Sequence, residues 1–375
     1  MKTILFILLS FSSFLYSQTV REIDDFVLSP SNDFYSNNYL YGSNTGKGNT
    51  GIGSENEFSA VLLNPAAVKL KNKITVCLQY TFKTNNRVTF SNTFGSNGYD
   101  LKHKPNSFSG GLALKINNLI TAGILYSNTN NLRYDFSDNS LSHDELSFNL
   151  NIHSIALPII FNYSNIGFGT TLFYNLYRND MTGVTTIEDP AIPHDVTDSF
   201  ERLNVQVGLF YKPVKTFSAG LTFTPGFKSD ITSSENHSIS PSFKQVSRQP
   251  FKVTAGVNFL TMNNKLSLAF DYNFQRTSEM TGYLDKNDFN FGGEYFLNKK
   301  LTIRTGFFTS FDIRDFHNDE VGFPGSEGDF TQYFLTGGFT YKLKNVDISL
   351  SVMDSHISPG IIKLFMANTA LVFNF

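Results

Sequence analysis

Four charged residues that alternate with apolar neighbours are the best candidates for chemistry in this sequence. Asp271, Glu294, Arg304 and Asp347 each stand in a run in which the flanking residues are mostly apolar, so each lies on the face opposite to an apolar one. Glu294 and Arg304 lie on either side of a turn at Asn298, which places them within one rung of each other in a hairpin. Such a pair could bind a carboxylate, hold another segment of the chain, or form an ion pair that merely fills space.

No set of residues predicts catalysis or a metal centre. The seven histidines are scattered without metal-ligand spacing, and we find no Ser/His/Asp set suited to nucleophilic catalysis. Asp312, Asp315, Asp319 and Glu320 crowd one polar stretch, but calcium needs several converging oxygens, and a solvated loop is the simpler interpretation. Cys77 is the single cysteine, which excludes an internal disulfide. We therefore predict no enzyme activity, no catalytic residues, no metal and no cofactor.

The segment Pro250–Phe274 shows which kind of element positions such residues. Its two halves alternate between apolar and polar side chains, the period of a β-strand. Each half offers five apolar residues on one face, which suits a tilted strand of about nine to eleven residues that crosses a bilayer. Pairing Phe259 with Leu266 puts both apolar sets on one side of the hairpin. The sets are Phe251, Val253, Ala255, Val257 and Phe259, and Leu266, Leu268, Phe270, Tyr272 and Phe274.

The composition favours a membrane protein built from strands. The chain has 375 residues, with 39 Phe and 17 Tyr but only 17% charged residues. Beyond the N-terminus, no apolar run reaches the roughly 18 residues of a membrane helix. A formal net charge of −2 offers no basic surface for nucleic acid. These features favour a transmembrane β-barrel over a soluble protein of two packed sheets.

Alternating patterns recur from residue 73 to the C-terminus and predict an all-β protein, a transmembrane antiparallel β-barrel of about fourteen strands. The predicted strands are 73–83, 105–116, 119–135, 144–163, 165–178, 200–212, 215–229, 250–260, 264–277, 286–297, 299–312, 331–343, 345–353 and 365–375. The links between them alternate between short and long, as do the short periplasmic turns and longer external loops of outer-membrane barrels. The long polar links are 84–104, 136–143, 179–199, 230–249, 278–285, 313–330 and 354–364.

The two termini predict export and membrane assembly. Residues 1–17 combine Lys2, an apolar stretch and a small-residue end, which is typical of a secretory signal peptide. Residues 18–71 lack alternation and are rich in glycine, and a fourteen-stranded barrel is too wide for its own side chains to fill. We therefore expect residues 18–71 to start on the periplasmic side and to fold as a plug in the lumen of a barrel formed by residues 72–375. The alternating apolar end at Phe375 resembles the signature read by the barrel-assembly machinery.

Several hairpins resemble the long-chain fatty-acid transporter family, the FadL/TodX-like outer-membrane proteins. The run Gly208–Pro213 continuing into Phe217–Phe223 is similar to that family's G-x-x-Y-x-P and L-S-x-G-L hairpin. Gly293-Glu294-Tyr295 followed by Leu301–Phe307 is similar to its G-x-E-Y and L-T-x-R-x-G hairpin. Asn64-Pro65-Ala66 stands just before the first strand, where the family carries an NPA sequence at the end of its plug.

The resemblance implies a plugged fourteen-stranded barrel through which fatty-acid-like hydrophobic molecules diffuse passively across the bacterial outer membrane. Its implied partners are that small molecule, the outer-membrane lipids and the assembly machinery, without nucleic acid. Related barrels act as partner or shuttle proteins in a Bacteroidetes-type secretion system, which stays open as an alternative function. The chain is short for the family and lacks the Met-Gly-Gly-Ala type run of many relatives.

An apparent change of phase in the fourth predicted strand marks a possible opening in the wall. Its apolar residues run through Ile152 and resume one position out of step at Ile155, with His153 and Ser154 between them. A slip of one residue is what a β-bulge produces. Pro158 follows, and proline cannot donate a hydrogen bond to a neighbouring strand. His153, Ser154 and Pro158 are therefore candidates for a lateral opening, with a harmless bulge as the alternative.

Overall fold

The chain folds into a closed barrel of fourteen antiparallel strands, as the alternation predicted. The computed structural model describes residues 21–24, 41–83, 86–92, 95–103, 106–138, 144–185, 192–230, 232–235, 243–279, 283–313, 315, 331–359 and 363–375. Within these ranges no helix is long and apolar enough to cross a membrane. Residues 1–17, the predicted signal peptide, lie outside the described residues.

The fourteen strands of the wall, numbered here in chain order, coincide closely with the predicted ones. They are β1 (Ile74–Lys83), β2 (Asn106–Lys115), β3 (Ile120–Asp138), β4 (Asp144–Tyr163), β5 (Ile166–Thr185), β6 (Ile192–Val214), β7 (Phe217–Thr224), β8 (Lys252–Thr261), β9 (Leu266–Gln275), β10 (Lys286–Phe296), β11 (Leu301–Ser310), β12 (Gln332–Lys342), β13 (Val346–Asp354) and β14 (Phe365–Asn374). Each strand pairs with its neighbours in the chain, and β14 pairs with β1 to close the barrel. The backbones of Ile74 and Phe375 exchange two hydrogen bonds at this seam.

The outer face of the barrel carries a continuous apolar belt. On β4 the outward residues are Ile155, Leu157, Ile159, Phe161 and Tyr163, and all are exposed to the surroundings. Their inward neighbours, Ala156 and Ile160 among them, are buried. The exposed apolar side chains recur around the wall, with Leu78, Tyr80, Leu209, Leu268, Ile303 and Leu350 as examples. An apolar belt on the outside of a closed barrel is the surface that lipid covers.

The β8–β9 hairpin has the predicted faces but a different register. Phe259 lies opposite Leu268 rather than Leu266. The turn consumes residues 262–265, in which Met262, Asn263 and Asn264 have positive φ angles. Because the difference is two residues, both apolar sets keep the outer face, as the period of a strand requires.

The links at the two ends of the barrel differ in length. At one end, here called the turn end, short links join β2 to β3, β4 to β5, β6 to β7, β8 to β9, β10 to β11 and β12 to β13. At the other, the loop end, the predicted polar links are partly strand. Residues 84–104 include a hairpin of Asn86–Asn92 and Gly95–His103, and β5 and β6 extend to Thr185 and Ile192.

Strand β7 ends earlier than predicted. It stops at Thr224 because Pro225, which follows, has no N–H group for the sheet. Phe227–Asp230 instead joins a three-stranded sheet with Phe243–Gln249 and Arg21–Asp24. Two strands of this small sheet belong to the link between β7 and β8, so Arg21–Asp24 lies at the loop end.

Residues 41–71, here called the inner segment, lie within the barrel. They contain three short 3-10 helices, Gly42–Lys47, Phe58–Ala60 and Pro65–Ala67, whose residues are all buried. Almost all of the remaining residues from Asn49 to Val68 are also buried. The segment therefore occupies the lumen that fourteen strands enclose.

Candidate functional site

The inner segment is seated on glycines of the wall. Nine inward glycines lie so close to it that a Cβ atom on any of them would come within 3.1 Å of one of its atoms. They are Gly111, Gly123, Gly167, Gly169, Gly208, Gly220, Gly256, Gly292 and Gly306. This glycine ring spans eight of the fourteen strands, from β2 to β11. Only a residue without a side chain allows two backbones to approach so closely.

Asp271, a predicted lumen residue on β9, holds the middle of the inner segment. Its Oδ2 atom accepts hydrogen bonds from the backbone N–H groups of Gly51, at 2.7 Å, and Ile52, at 3.1 Å. The side chain is buried at 1% exposure. A buried carboxylate that accepts two backbone N–H groups satisfies donors that would otherwise be stranded.

Asp347, the predicted lumen residue on β13, is buried and contacts the end of the inner segment. Its Oδ2 atom lies 3.5 Å from Lys71 Nζ. Because the Lys71 side chain is more than half exposed, this ion pair contributes little to stability. Asp271 and Asp347 therefore both contact the segment, at its middle and at its last residue.

Glu294 and Arg304 pair with each other across β10 and β11. They stand directly opposite in the sheet, and Glu294 Oε2 lies 2.5 Å from Arg304 Nη2. Arg304 Nη1 also donates to Thr340 Oγ1 on β12. The two side chains lie together as the sequence indicated, and of the alternatives left open the geometry is that of an ion pair.

Two ionisable side chains of the inner segment are buried near this pair. Burial lowers the pKa of the Lys47 ammonium group. The attraction of the Glu294 carboxylate opposes this effect but is smaller. Burial raises the pKa of the Glu57 carboxyl group, and repulsion from Asp347 adds to the effect. Burial in the lumen is therefore the main cause of both shifts.

Asn64, Pro65 and Ala66 form the close contact with the β5–β6 part of the wall. Asn64 Oδ1 accepts from the N–H of Ala66, which caps the Pro65–Ala67 helix. Asn64 Nδ2 donates to the carbonyl oxygens of Ile52, at 2.8 Å, and Leu209, at 3.0 Å. The amide therefore joins two parts of the inner segment to β6. Asparagine at an N-cap and proline at the first helical position are both favoured there.

One side of the lumen is apolar rather than polar. Phe58 of the inner segment is fully buried there, and its ring lies against Gly111 and Gly123. The rest of this cluster, here called the apolar cluster, comes from the segment and from β1 to β4 and β14. Its other buried members are Val61, Val68, Cys77, Ala113, Leu125, Ala156, Ile160 and Val372.

Strand β4 does not change phase at His153 and Ser154. Ile152 and Ser154 are both buried, and β4 pairs with β5 without interruption from Glu145 to Tyr163. Ile152 therefore belongs to the inner face, whereas Ile155 belongs to the outer face. The predicted slip is wrong because β4 has apolar residues on both of its faces and no bulge between them. The register shift lies in the partner strand β3, between Asn128 and Asn130, opposite His153 and Ile152.

Pro158 marks a second irregularity in the same pair of strands. The pairing of β3 with β4 runs from Ala122–Ile159 to Leu125–Ala156 and omits the two rungs between them, Gly123 with Pro158 and Ile124 with Leu157. Proline has no N–H to donate to this ladder. The weakened rungs lie beside the apolar cluster, because Ala156 and Ile160 flank Pro158 and Phe58 touches Gly123.

A cavity lies between the inner segment and the loop ends of β7 to β11. The cavity has a volume of about 90 Å³ and is partly open to solvent. Ile52, Leu62 and Leu63 of the inner segment form an apolar floor, whereas the strands contribute mostly polar side chains. Leu62 also packs against the apolar cluster, so it contacts both regions. Among the described residues, no group of three or more His, Cys, Asp or Glu side chains could hold a metal ion.

The sequence analysis missed the glycine ring and the role of Phe58. Four glycines of the resemblance motifs, at positions 208, 220, 293 and 306, were visible, and three of them belong to the ring. Their periodic inward placement was a usable signal. The atoms that contact these glycines, however, belong to the inner segment, which has no alternating pattern. The contact between the glycines and the segment could therefore not be predicted from the sequence.

The fold resembles that of known hydrocarbon channels. A comparison with protein-family models and a search of curated proteins each find no match. Among solved structures, the Ralstonia pickettii toluene transporter TbuX matches with a TM-score of 0.62 and 16% identity, covering 90% of this chain and 99% of that one. The P. putida toluene transporter TodX matches with a TM-score of 0.63 and 12% identity, over 90% and 99%. A Pseudomonas aeruginosa FadL homologue matches with a TM-score of 0.57 and 13% identity, over 90% and 98%. With its closed wall and apolar belt, the chain is an outer-membrane β-barrel with the FadL/TodX-like fold.

Proposed function

We propose that the protein is an outer-membrane channel through which a hydrophobic small molecule diffuses passively. The observation that supports this most is that one apolar side chain, Leu62, lies between the loop-end cavity and the apolar cluster at the irregular wall. Leu62 contacts both, so an apolar molecule that leaves the cavity meets apolar side chains as far as Pro158. The named channels of the same fold support the same class of cargo.

In this proposal the inner segment is a plug that closes the barrel to water and ions. The glycine ring, Asp271 and Asn64 attach it to the wall from β5 to β11. Gln79 on β1 attaches its start, because its Oε1 atom accepts from Gly42 N at 2.7 Å. Attachment around the wall argues against release of the whole segment during transport, and favours an exit through the wall.

The proposed exit is the pair of weakened rungs at Gly123 and Pro158, and Phe58 is its gate. Phe58 fills the space above Gly123, where any side chain would clash with its ring. Rotation of the Phe58 ring would open a path from the apolar cluster to these rungs, and the rest of the inner segment would not have to move. His153 and Ser154 border this exit rather than form it.

In this proposal the protein has no catalytic activity and needs no cofactor. Its partners are the cargo, the lipids of the outer membrane and the barrel-assembly machinery. Residues 1–17 serve as the export signal and the Phe375 end as the assembly signal. No contact among the described residues favours the alternative of a partner protein in a secretion system, so we propose no second function.

The test is uptake of radiolabelled toluene, decane and 1-monodecanoylglycerol by cells that express or lack the protein. Expression should raise uptake of a hydrophobic solute several-fold while the purified protein shows little ionic conductance in planar bilayers. Phe58→Ala should raise hydrophobic uptake further without a matching rise in conductance, and Phe58→Leu, which keeps an apolar filler, is the control. Equal uptake with and without the protein would refute a transport role.

A further inference from the structure

The loop-end cavity has a lining that suits a cargo with a polar part. Hydroxyl and carboxamide side chains from six consecutive strands, β6 to β11, line its wall, with Thr222, Thr224, Thr254, Asn273, Gln275 and Thr309 among them. A pure hydrocarbon offers these groups no hydrogen bonds in exchange for the water it displaces. The lining therefore favours a molecule that carries hydrogen-bonding groups.

Three of the four charged side chains that line the cavity, those of Lys286, Asp288 and Asp271, have partners within the protein. Lys286 Nζ lies 3.4 Å from Asp288 Oδ2 and donates to Ser310 Oγ at 3.2 Å. Asp288 Oδ1 accepts from the N–H of Phe311 at 3.0 Å, and Asp271 accepts from the inner segment. A carboxylate cargo would have to displace one of these partners. Because these charges neutralise each other locally, the cavity favours an uncharged polar group.

Three acceptor atoms that line the cavity lack a donor among the described residues, and one of them is Asp271 Oδ1. The other two, Asn49 Oδ1 and Gln206 Oε1, are likewise buried without a hydrogen-bond partner. The orientation of Gln206 is fixed, because its Nε2 atom donates to the Leu62 carbonyl oxygen at 3.3 Å. A buried acceptor without a donor is costly. Donor groups on a bound molecule would satisfy the Asn49 and Gln206 oxygens.

We infer that the cargo is a neutral amphiphile whose head group donates hydroxyl hydrogen bonds to Asn49 and Gln206. Its chain lies on the apolar floor of Ile52, Leu62 and Leu63 and leads on toward the apolar cluster. The inference rests on the proposed transport function and narrows the cargo to molecules with a hydroxylated, uncharged head, such as a monoacylglycerol.

The test compares three probes that share a ten-carbon chain: 1-monodecanoylglycerol, decanoate and decane. The protein has no tryptophan, so Tyr41→Trp, at the edge of the cavity, provides a single fluorescent reporter. Binding is measured on the full-length protein in lipid nanodiscs, at equal mole fractions of each probe in the membrane. Monodecanoylglycerol should saturate the signal at a concentration at least tenfold lower than either other probe.

Gln206→Met keeps the size of the side chain but removes the acceptor. It should abolish most of the preference for monodecanoylglycerol over decane. Asn49→Gly is the second variant, because glycine tolerates the positive φ of 55° at that position. Tighter binding of decanoate or decane to the parent protein would overturn the head-group inference while leaving transport intact. The proposed function fails separately, if uptake by cells does not depend on the protein.

Discussion

Asp271 on β9 and Gly51 in the inner segment are joined by a hydrogen bond of 2.7 Å from the Gly51 N–H to Asp271 Oδ2. The same oxygen accepts from the N–H of Ile52 at 3.1 Å, so one carboxylate of the wall holds two consecutive backbone N–H groups of the inner segment. A residue on the wall thus determines the position of residues that have no secondary structure of their own. This contact attaches the middle of the inner segment directly to the barrel wall.

Asp271→Ala should loosen the inner segment. The substitution leaves two buried N–H groups without an acceptor, which costs about 1–3 kcal/mol for each stranded group. We expect frequent channel openings in planar bilayers, whereas the parent protein stays closed. Asp271→Asn keeps one carbonyl acceptor at the same position and should remain mostly closed. Identical traces for the alanine variant and the parent would show that Asp271 does not hold the segment.

The glycine ring predicts opposite results for two adjacent residues of β10. A Cβ at Gly292 would clash with the Lys47 backbone and Thr50, whereas a Cβ at Gly293 would meet only ordinary contacts, the nearest at 3.7 Å. Gly292→Ala should therefore displace the inner segment and raise both conductance and hydrogen exchange of its amides. Gly293→Ala, on the outer face of the same strand, should behave as the parent does. Equal behaviour of the two variants would contradict the close approach.

The outer belt predicts the effect of a charge facing lipid. Ile159 lies midway along the outward apolar row of β4, so Ile159→Arg should lower the free energy of unfolding by about 2–4 kcal/mol. Ile159→Ala removes the packing without adding a charge and should cost clearly less. Denaturant titration in lipid vesicles measures both variants. An arginine that is tolerated as well as alanine would mean that this face is not in contact with hydrocarbon.

The sequence was sufficient for the barrel but not for its contents. The strands could be predicted because apolar and polar residues alternate along each of them. This pattern is local, so it assigns the faces of β8 and β9 correctly even when their register is wrong by two residues. Asp271 and the Glu294–Arg304 pair could be placed on the inner face for the same reason. The predicted slip in β4 failed because it assumed that every apolar residue faces lipid. Ile152 is instead buried on the inner face of the wall.

The contacts of the inner segment could not be predicted, for a different physical reason. Its residues have no periodic pattern, and the wall fixes their positions through backbone approaches to glycines such as Gly220. Whether an inward glycine meets water or another backbone depends on the tertiary fold alone. The bulge in β3 at Asn128 was missed because that stretch of polar residues carries no apolar phase that could reveal a shift.

Pro158 provides a test of the proposed exit. Pro158→Thr restores an N–H group to β4 and should allow the missing rungs opposite Gly123 and Ile124 to form. We expect the variant to fold normally and to take up less hydrophobic solute in the cell assay. Pro213→Thr is the matched control, because Pro213 lies beside a register shift between β6 and β7, outside the apolar cluster. Undiminished uptake by a folded Pro158→Thr variant would remove these rungs as the exit.

The last prediction concerns closure of the barrel by the inner segment as a whole. Fourteen strands enclose a lumen wider than their own side chains can fill. Residues from Gly42 to Val68 are mostly buried there, and their contacts extend from Gln79 on β1 to the glycine ring. A variant that lacks residues 18–66 should therefore form large, steady channels in planar bilayers, whereas the full-length protein conducts little. Heat-modifiable migration on electrophoresis would verify that the shortened barrel is folded. If it is folded and as closed as the parent, the inner segment is not the plug, and the links at the loop end must close the lumen.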